Sequence, residues 1–272
     1  MKIVLDGELG ASGSVVALGM FDGVHFGHQV LLSRARVLAR RKRLPFVVHT
    51  FSEHPLNLLN NAKVPPLLTT AEERAALMEQ AGVDVLNAVH FTEEIRDMLP
   101  EVFIGELVRQ WKPKAVVVGF NYSFGRHGAG TPLFLKELGH ALGFQTYIVP
   151  AIQDRGQTIS ATVIRELIAA GNVRDARGML DRFYTREYTV RNQKRGYCEL
   201  QAVENGKLIP PPGLYRALAD WNDHVIPLLL RIRKGNRATC RTLSNRKLPP
   251  EVTFQLMCQW IPSQNRKKLD LR

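Results

Sequence analysis

Between residues 13 and 150, short apolar runs alternate with longer stretches whose apolar positions recur at helical spacing. The runs 15–19, 46–51, 83–91, 115–119 and 146–149 are read as strands. The stretches 28–41, 70–81, 101–111 and 133–142 are read as helices. Thr69 or Thr70 precedes the second helix, glutamates fill its first turn and Gly82 closes it, which are the signals of a capped helix. Strands alternating with helices predict an α/β unit with a parallel sheet covered on both faces. After Ile159 two more helical stretches follow, 162–170 and 173–180, with Gly171 as a stop and Asn172 as the next cap. From Tyr184 the pattern shortens to alternating runs such as Tyr188-Thr189-Val190 and Tyr197-Cys198-Glu199-Leu200, followed by Pro210-Pro211-Pro212-Gly213. A small β-rich unit is expected there, with the boundary near residues 182–187.

In a parallel sheet, ligands bind at the loops beyond the carboxyl ends of the strands. Three such loops are unusual. The first is Gly19-Met20-Phe21-Asp22-Gly23-Val24-His25-Phe26-Gly27-His28, a glycine-rich turn with two histidines where a helix begins. Helix starts leave backbone N–H groups unpaired and carry a positive dipole end, so they take phosphate readily. Glycines let backbone approach an anion, and imidazoles donate hydrogen bonds to phosphoryl oxygens. The second loop holds Ser52-Glu53-His54-Pro55 and the third spans 121–130. A further block, Thr158-Ile159-Ser160-Ala161-Thr162-Val163-Ile164-Arg165, sets hydroxyls at a helix start and an arginine about one turn on, suited to bidentate phosphate binding. No G-x-x-x-x-G-K-[ST] loop occurs, and no carboxylate or cysteine cluster accompanies the histidines to suggest zinc.

Composition changes this picture in two places. The chain has 272 residues, enough for one large unit and a smaller one, with an ordinary apolar share of 45%. Its three scattered cysteines, Cys198, Cys240 and Cys258, fit a reducing cytoplasm. No run is long enough to span a membrane, and the start Met1-Lys2-Ile3-Val4-Leu5-Asp6 lacks a signal-peptide layout. The net charge of +12 is uneven: residues 186–272 hold 17 Lys/Arg against 7 Asp/Glu, and residues 1–185 hold 20 against 18. A solvated basic face is the plainer account; attraction to nucleic acid or another polyanion is the minority reading. The oligomeric state is not legible.

Five ordered segments resemble the prokaryotic FAD synthetases, usually fused as riboflavin kinase/FMN adenylyltransferase. They are residues 19–28, the string Thr50-Phe51-Ser52-Glu53-His54-Pro55, residues 118–125, residues 159–165 and residues 171–184. The resemblance implies a Rossmann-like nucleotidyltransferase domain over residues 1–184, joining ATP to FMN to give FAD and pyrophosphate, with Mg²⁺ accompanying ATP. It implies that His25, His28 and Arg165 are catalytic and that Gly19, Phe21, Asp22, Gly23, Ser160 and Thr162 bind ATP. Phe51, His54, Pro55, Asn121 and Phe124 are implied flavin or nucleotide contacts, Phe124 being equally well placed as core.

The chain departs from the family in several places. Phe51-Ser52-Glu53-His54-Pro55 stands where Phe-Asp-Pro-His-Pro is frequent, Ala161 where a second serine is usual, and Asp181-Arg182-Phe183-Tyr184 in place of Gly-Arg-Pro-Tyr. After Tyr184 no counterpart appears of the kinase segment Gly-x-Pro-Thr-Ala-Asn. Residues 185–272 are therefore expected to be a short, basic, vestigial kinase-like domain without riboflavin kinase activity. Two other functions stay open: a flavin-nucleotide-binding or regulatory protein with weak catalysis, and a nucleotidyltransferase that uses another phosphorylated acceptor.

Overall fold

Successive residues along the central strands point to opposite faces of a sheet. Val15 and Ala17 pack with Leu32, Ala35 and Met78 on one side, and Val16 and Leu18 with Ile104, Leu107, Trp111 and Leu135 on the other. Both faces are therefore covered, and the strands read as continuous apolar runs. The computed structural model describes residues 1–4, 13–58, 64–194, 196–221, 224–242 and 248–260. Part of the sequence-level reading, including Leu5, Asp6 and the basic residues after 260, lies outside them.

The chain divides into two units, Met1–Ser160 and Ala161–Arg272. Among the described residues of the first, the main sheet has β1 (Lys2–Val4), β2 (Ser14–Leu18), β3 (Phe46–Phe51), β4 (Val85–Val89), β5 (Pro113–Gly119) and β6 (Gln145–Val149). Their order is β1-β4-β3-β2-β5-β6, with every neighbouring pair parallel. The helices are α1 (Phe26–Lys42), α2 (Ala71–Gln80), α3 (Glu93–Asp97), α4 (Pro100–Trp111) and α5 (Pro132–Leu142), and a hairpin of β7 (Gln153–Asp154) and β8 (Gln157–Thr158) follows. The α/β alternation is as the sequence predicts. Helices α4 and α5 begin a residue earlier than the apolar period suggests, because Pro100 and Pro132 occupy first-turn positions where a missing N–H costs nothing. Strand β1 and helix α3 escape periodicity through shortness.

Thr70, rather than Thr69, caps α2: its hydroxyl accepts from Glu73 N while Glu73 Oε2 accepts from Thr70 N at 3.0 Å. After β2 the chain continues to β3 on one side, and after β5 to β6 on the other. The carboxyl ends of β2 and β5 thus flank the switch point where ligands bind in such sheets.

The second unit opens with α6 (Ala161–Ala169) and α7 (Val173–Leu180). Strands β9 (Tyr184–Lys194), β10 (Tyr197–Ala202), β11 (Gly213–Trp221), β12 (His224–Ile232), β13 (Arg237–Thr242) and β14 (Glu251–Trp260) then close a barrel in the order β10-β13-β12-β11-β14-β9. Closure removes the exposed edges a short β unit would otherwise carry. Tyr188, Tyr215, Leu200, Leu230 and Phe254 are buried in this unit.

Candidate functional site

Residues 19–28 leave β2 in a backbone path that few sequences tolerate. Phe21, Gly23 and Val24 all have positive φ, at 52°, 75° and 35°. Glycine accepts such a value freely, whereas an aromatic and a β-branched residue hold it only under strain enforced by their surroundings. The enforcing contacts are visible. Asp22, almost fully buried, accepts hydrogen bonds from Leu68 N (3.0 Å), Thr69 N (3.1 Å) and Thr69 Oγ1 (3.2 Å), and Thr69 Oγ1 in turn accepts from Gly23 N (3.0 Å). Asp22 therefore ties the turn to the approach of α2. Buried Arg74, on α2, donates to Met20 O (3.2 Å), Phe51 O (2.9 Å) and Ser52 O (3.1 Å), joining the first loop to the second. Sequence reasoning named Asp22 as an ATP contact and missed Thr69 and Arg74.

His25 is the N-cap of α1, a place that usually goes to Ser, Thr, Asp or Asn. Its Nδ1 accepts from His28 N at 3.3 Å. That bond fixes the tautomer: a neutral ring accepting at Nδ1 carries its proton on Nε2. The His25 and His28 rings stack with centroids 3.6 Å apart, and Phe21 meets His28 edge-on at 5.1 Å. Gly27 lies between the two histidines because a Cβ there would come within 3.2 Å of the His25 ring. Burial first, and the neighbouring His25 second, hold His28 well below its ordinary value of 6.5. His28 is thus a neutral donor at pH 7. The buried His28 Nδ1 has no hydrogen-bond partner among the described residues.

The second loop is polar and partly open. Phe51 meets Phe91 edge-on at 4.9 Å, His54 Nδ1 accepts from Leu56 N at 3.2 Å, and half-buried Pro55 begins a 3₁₀ turn. In the third loop Asn121 is exposed beside Gly119, while Phe124 is 5% exposed. Phe124 stacks with Tyr122 at 5.7 Å and lies 5.9 Å from Phe103, so its ring is part of the core beneath the loop. Gly19 is half-buried, with the Phe21 ring 3.2 Å from where its Cβ would lie.

Ser160 is the last residue of the first unit. Exposed Thr162 and half-buried Arg165 lie on α6 in the second unit. The structure brings Gly19, Phe21, Asp22, Gly23, His25 and His28 into one turn and ties that turn to the end of β3.

Residues 9–163 match the family described as FAD synthetase. A bifunctional riboflavin kinase/FMN adenylyltransferase of Bacillus subtilis is 31% identical over 221 residues, covering 78% of this chain and 69% of that protein. One from Listeria monocytogenes is 36% identical over 208 residues, covering 74% and 66%. The Escherichia coli protein of the same description is 32% identical over 169 residues, covering 62% and 54%. The matches thus span between about half and two thirds of these relatives. Among solved structures, one described as a macrolide-efflux protein from Streptococcus pneumoniae has a TM-score of 0.88 over 99% of this chain and 94% of its own. At 24% identity that likeness establishes the fold alone. No described helix here is long and apolar enough to cross a membrane.

Proposed function

This chain belongs to the FAD synthetase family, and on that footing we propose that it transfers AMP from MgATP to FMN, giving FAD and pyrophosphate, and does not phosphorylate riboflavin. The observation that carries the proposal is the stacked His25–His28 pair at the start of α1, beside the switch point of a parallel sheet. In this reaction a terminal phosphate oxygen of FMN bonds to the α-phosphorus of ATP while the bond to the β-phosphate oxygen breaks. Charge builds on the α-phosphate oxygens. Imidazole donors held by packing stabilise that charge without having to reorganise. A polar ligand group would also satisfy the buried His28 Nδ1, an atom of the kind that seldom stays unpaired.

Asp22 and Arg74 act in this reading as positioning residues. Ser160, Thr162 and Arg165 are assigned to the leaving pyrophosphate, and Asn121, Phe51, His54 and Pro55 to nucleotide or flavin contacts. Phe124 supports the third loop from below. Among the described residues no three His, Cys, Asp or Glu side chains converge as metal ligands, and the Asp22 carboxylate is occupied by N–H and hydroxyl donors. In this reading a Mg²⁺ ion would arrive on the triphosphate, whose oxygens supply most of its ligands. The three cysteines are free thiols, which suits the cytoplasm.

The absent Gly-x-Pro-Thr-Ala-Asn segment supports the loss of kinase activity. The test is incubation with FMN, ATP and Mg²⁺, with FAD and pyrophosphate followed by chromatography and riboflavin replacing FMN in a parallel reaction. FAD from FMN and no product from riboflavin is the expected result. FMN made from riboflavin would overturn the monofunctional reading. Tight FAD binding without turnover would overturn the enzymatic one.

A further inference from the structure

A cleft of about 490 Å³ opens in the second unit between α7 and the first and last strands of the barrel. That volume falls within the range of about 300–1,000 Å³ usual for small-molecule sites. Three guanidinium groups line it, from Arg174, Arg177 and Arg182, with Asp181 the one carboxylate among its described lining residues. Arg174 and Arg177 are exposed, lie three residues apart on α7, and have no carboxylate partner among the described residues. Arg174 and Arg177 carry like charge one turn apart on the same helix, and an anion between them would offset their repulsion.

The aromatic element of the cleft is equally specific. The Arg177 guanidinium carbon lies over the Phe183 ring, 3.9 Å from its centroid. A guanidinium fixed by a ring beneath it presents a second planar face to whatever enters above, and arginine planes stack on nucleobases. Thr185 and Gln255 add hydroxyl and amide groups to the wall. Phe183 stands where the family pattern has proline, so the stack belongs to this chain's own sequence.

We infer that this cleft binds a nucleotide, its phosphate held by the arginines and its base stacked on the Phe183-supported Arg177 plane. The inference needs only residues of the second unit and does not depend on the adenylyl-transfer reading.

Calorimetric titration of the full chain with GMP, guanosine and inorganic phosphate tests it. GMP is expected to bind about tenfold or more tightly than either fragment. Arg174→Ala with Arg177→Ala should weaken GMP by about tenfold or more, because charged hydrogen bonds are removed. Arg177→Lys, which keeps charge but loses the planar fork, should weaken it several-fold. His28→Ala should leave GMP affinity unchanged, with thermal melts confirming that every variant is folded. The inference is overturned if GMP fails to bind at millimolar concentration, if phosphate alone binds equally well, or if the arginine variants bind as the parent does. Loss of GMP binding on His28→Ala would place the nucleotide in the first unit and also overturn it.

Discussion

Asp22 and Arg186 are both charged, both almost without exposed surface, and lie in different units. Asp22 meets two backbone N–H groups and a hydroxyl, and both of its oxygens are engaged. Arg186, in the barrel, donates to Asn205 Oδ1 (2.9 Å), Val203 O (2.9 Å) and Lys207 O (3.3 Å), while its Nε has no partner among the described residues. The anion sits where the backbone is strained and holds a loop in a shape it would otherwise leave. The cation sits in a closed barrel whose strands are already fixed by their ladder. Equal burial therefore carries unequal consequence: removing Asp22 should release a functional loop, whereas removing Arg186 should release only itself.

The largest effect should fall on the residue that the anion positions. His28→Ala is expected to lower the rate of FAD formation by roughly 10²–10³, the usual cost of one lost donor to a developing oxyanion. The variant His28→Asn, which keeps a side-chain donor, should recover part of that rate. Steady-state kinetics with FMN and ATP checks both, and an unchanged rate for His28→Ala would remove the pair from the mechanism.

Next in size is Asp22→Ala. It strands the N–H groups of Leu68 and Thr69 in the interior, at about 1–3 kcal/mol each, and it frees the positive-φ turn. Stability should fall by a few kcal/mol in urea titration, and FAD formation should fall with it. Asp22→Asn keeps one acceptor oxygen and should lie between. If Asp22→Ala loses activity without losing stability, Asp22 touches substrate and is not merely a tie.

The contrast also explains what the sequence reveals. Gly23, His25, Gly27 and His28 are legible because the logic of the turn is local: a cap, a glycine beside a ring, and a partner three residues away. The bonds that enforce it are not local, since Asp22 reaches Leu68 and Thr69, and Arg74 reaches Met20. Nothing in periodicity distinguishes Arg74 from an ordinary helix arginine. The α/β alternation is plain in the apolar runs, but barrel closure rests on pairings such as Glu251 with Thr189, which no local pattern encodes. Two polar residues inside those runs, His49 and Asn87, were a usable signal of a buried pair; their side chains meet at 2.9 Å.

That pair supplies a third prediction, which extends the comparison to a titrating group. Burial lowers His49 from 6.5 to about 4. The unfolded chain therefore binds the extra proton between those values, and stability present above about pH 6.5 is lost as the pH falls toward 4. The full loss is roughly 3 kcal/mol, from 1.36 kcal/mol per unit. Burial drives His28 in the same direction. Urea titrations at a series of pH values should show the slope, and His49→Gln should flatten much of it. An unchanged slope would mean that other groups dominate the acid sensitivity of this unit.

The smallest effect is expected at Arg186. Arg186→Met gives up three hydrogen bonds from a charged donor, each worth about 1.5–3 kcal/mol. It also removes the several kcal/mol of desolvation that a buried cation suffers, together with one unpaired N–H. Asn205 Oδ1 keeps an acceptor role toward Lys207 N at 3.3 Å, so one of the three abandoned oxygens is still partnered. The oxygens of Val203 and Lys207 each lose a donor, so the terms cancel only in part and stability should fall by about 1–3 kcal/mol. Activity in FAD formation should stay at the parent level, since the barrel needs no charge at this position to close. A loss above about 3 kcal/mol, the scale of a broken buried ion pair, would mean that Arg186 neutralises an anion. The comparison with Asp22 would then be one of two equally necessary ties.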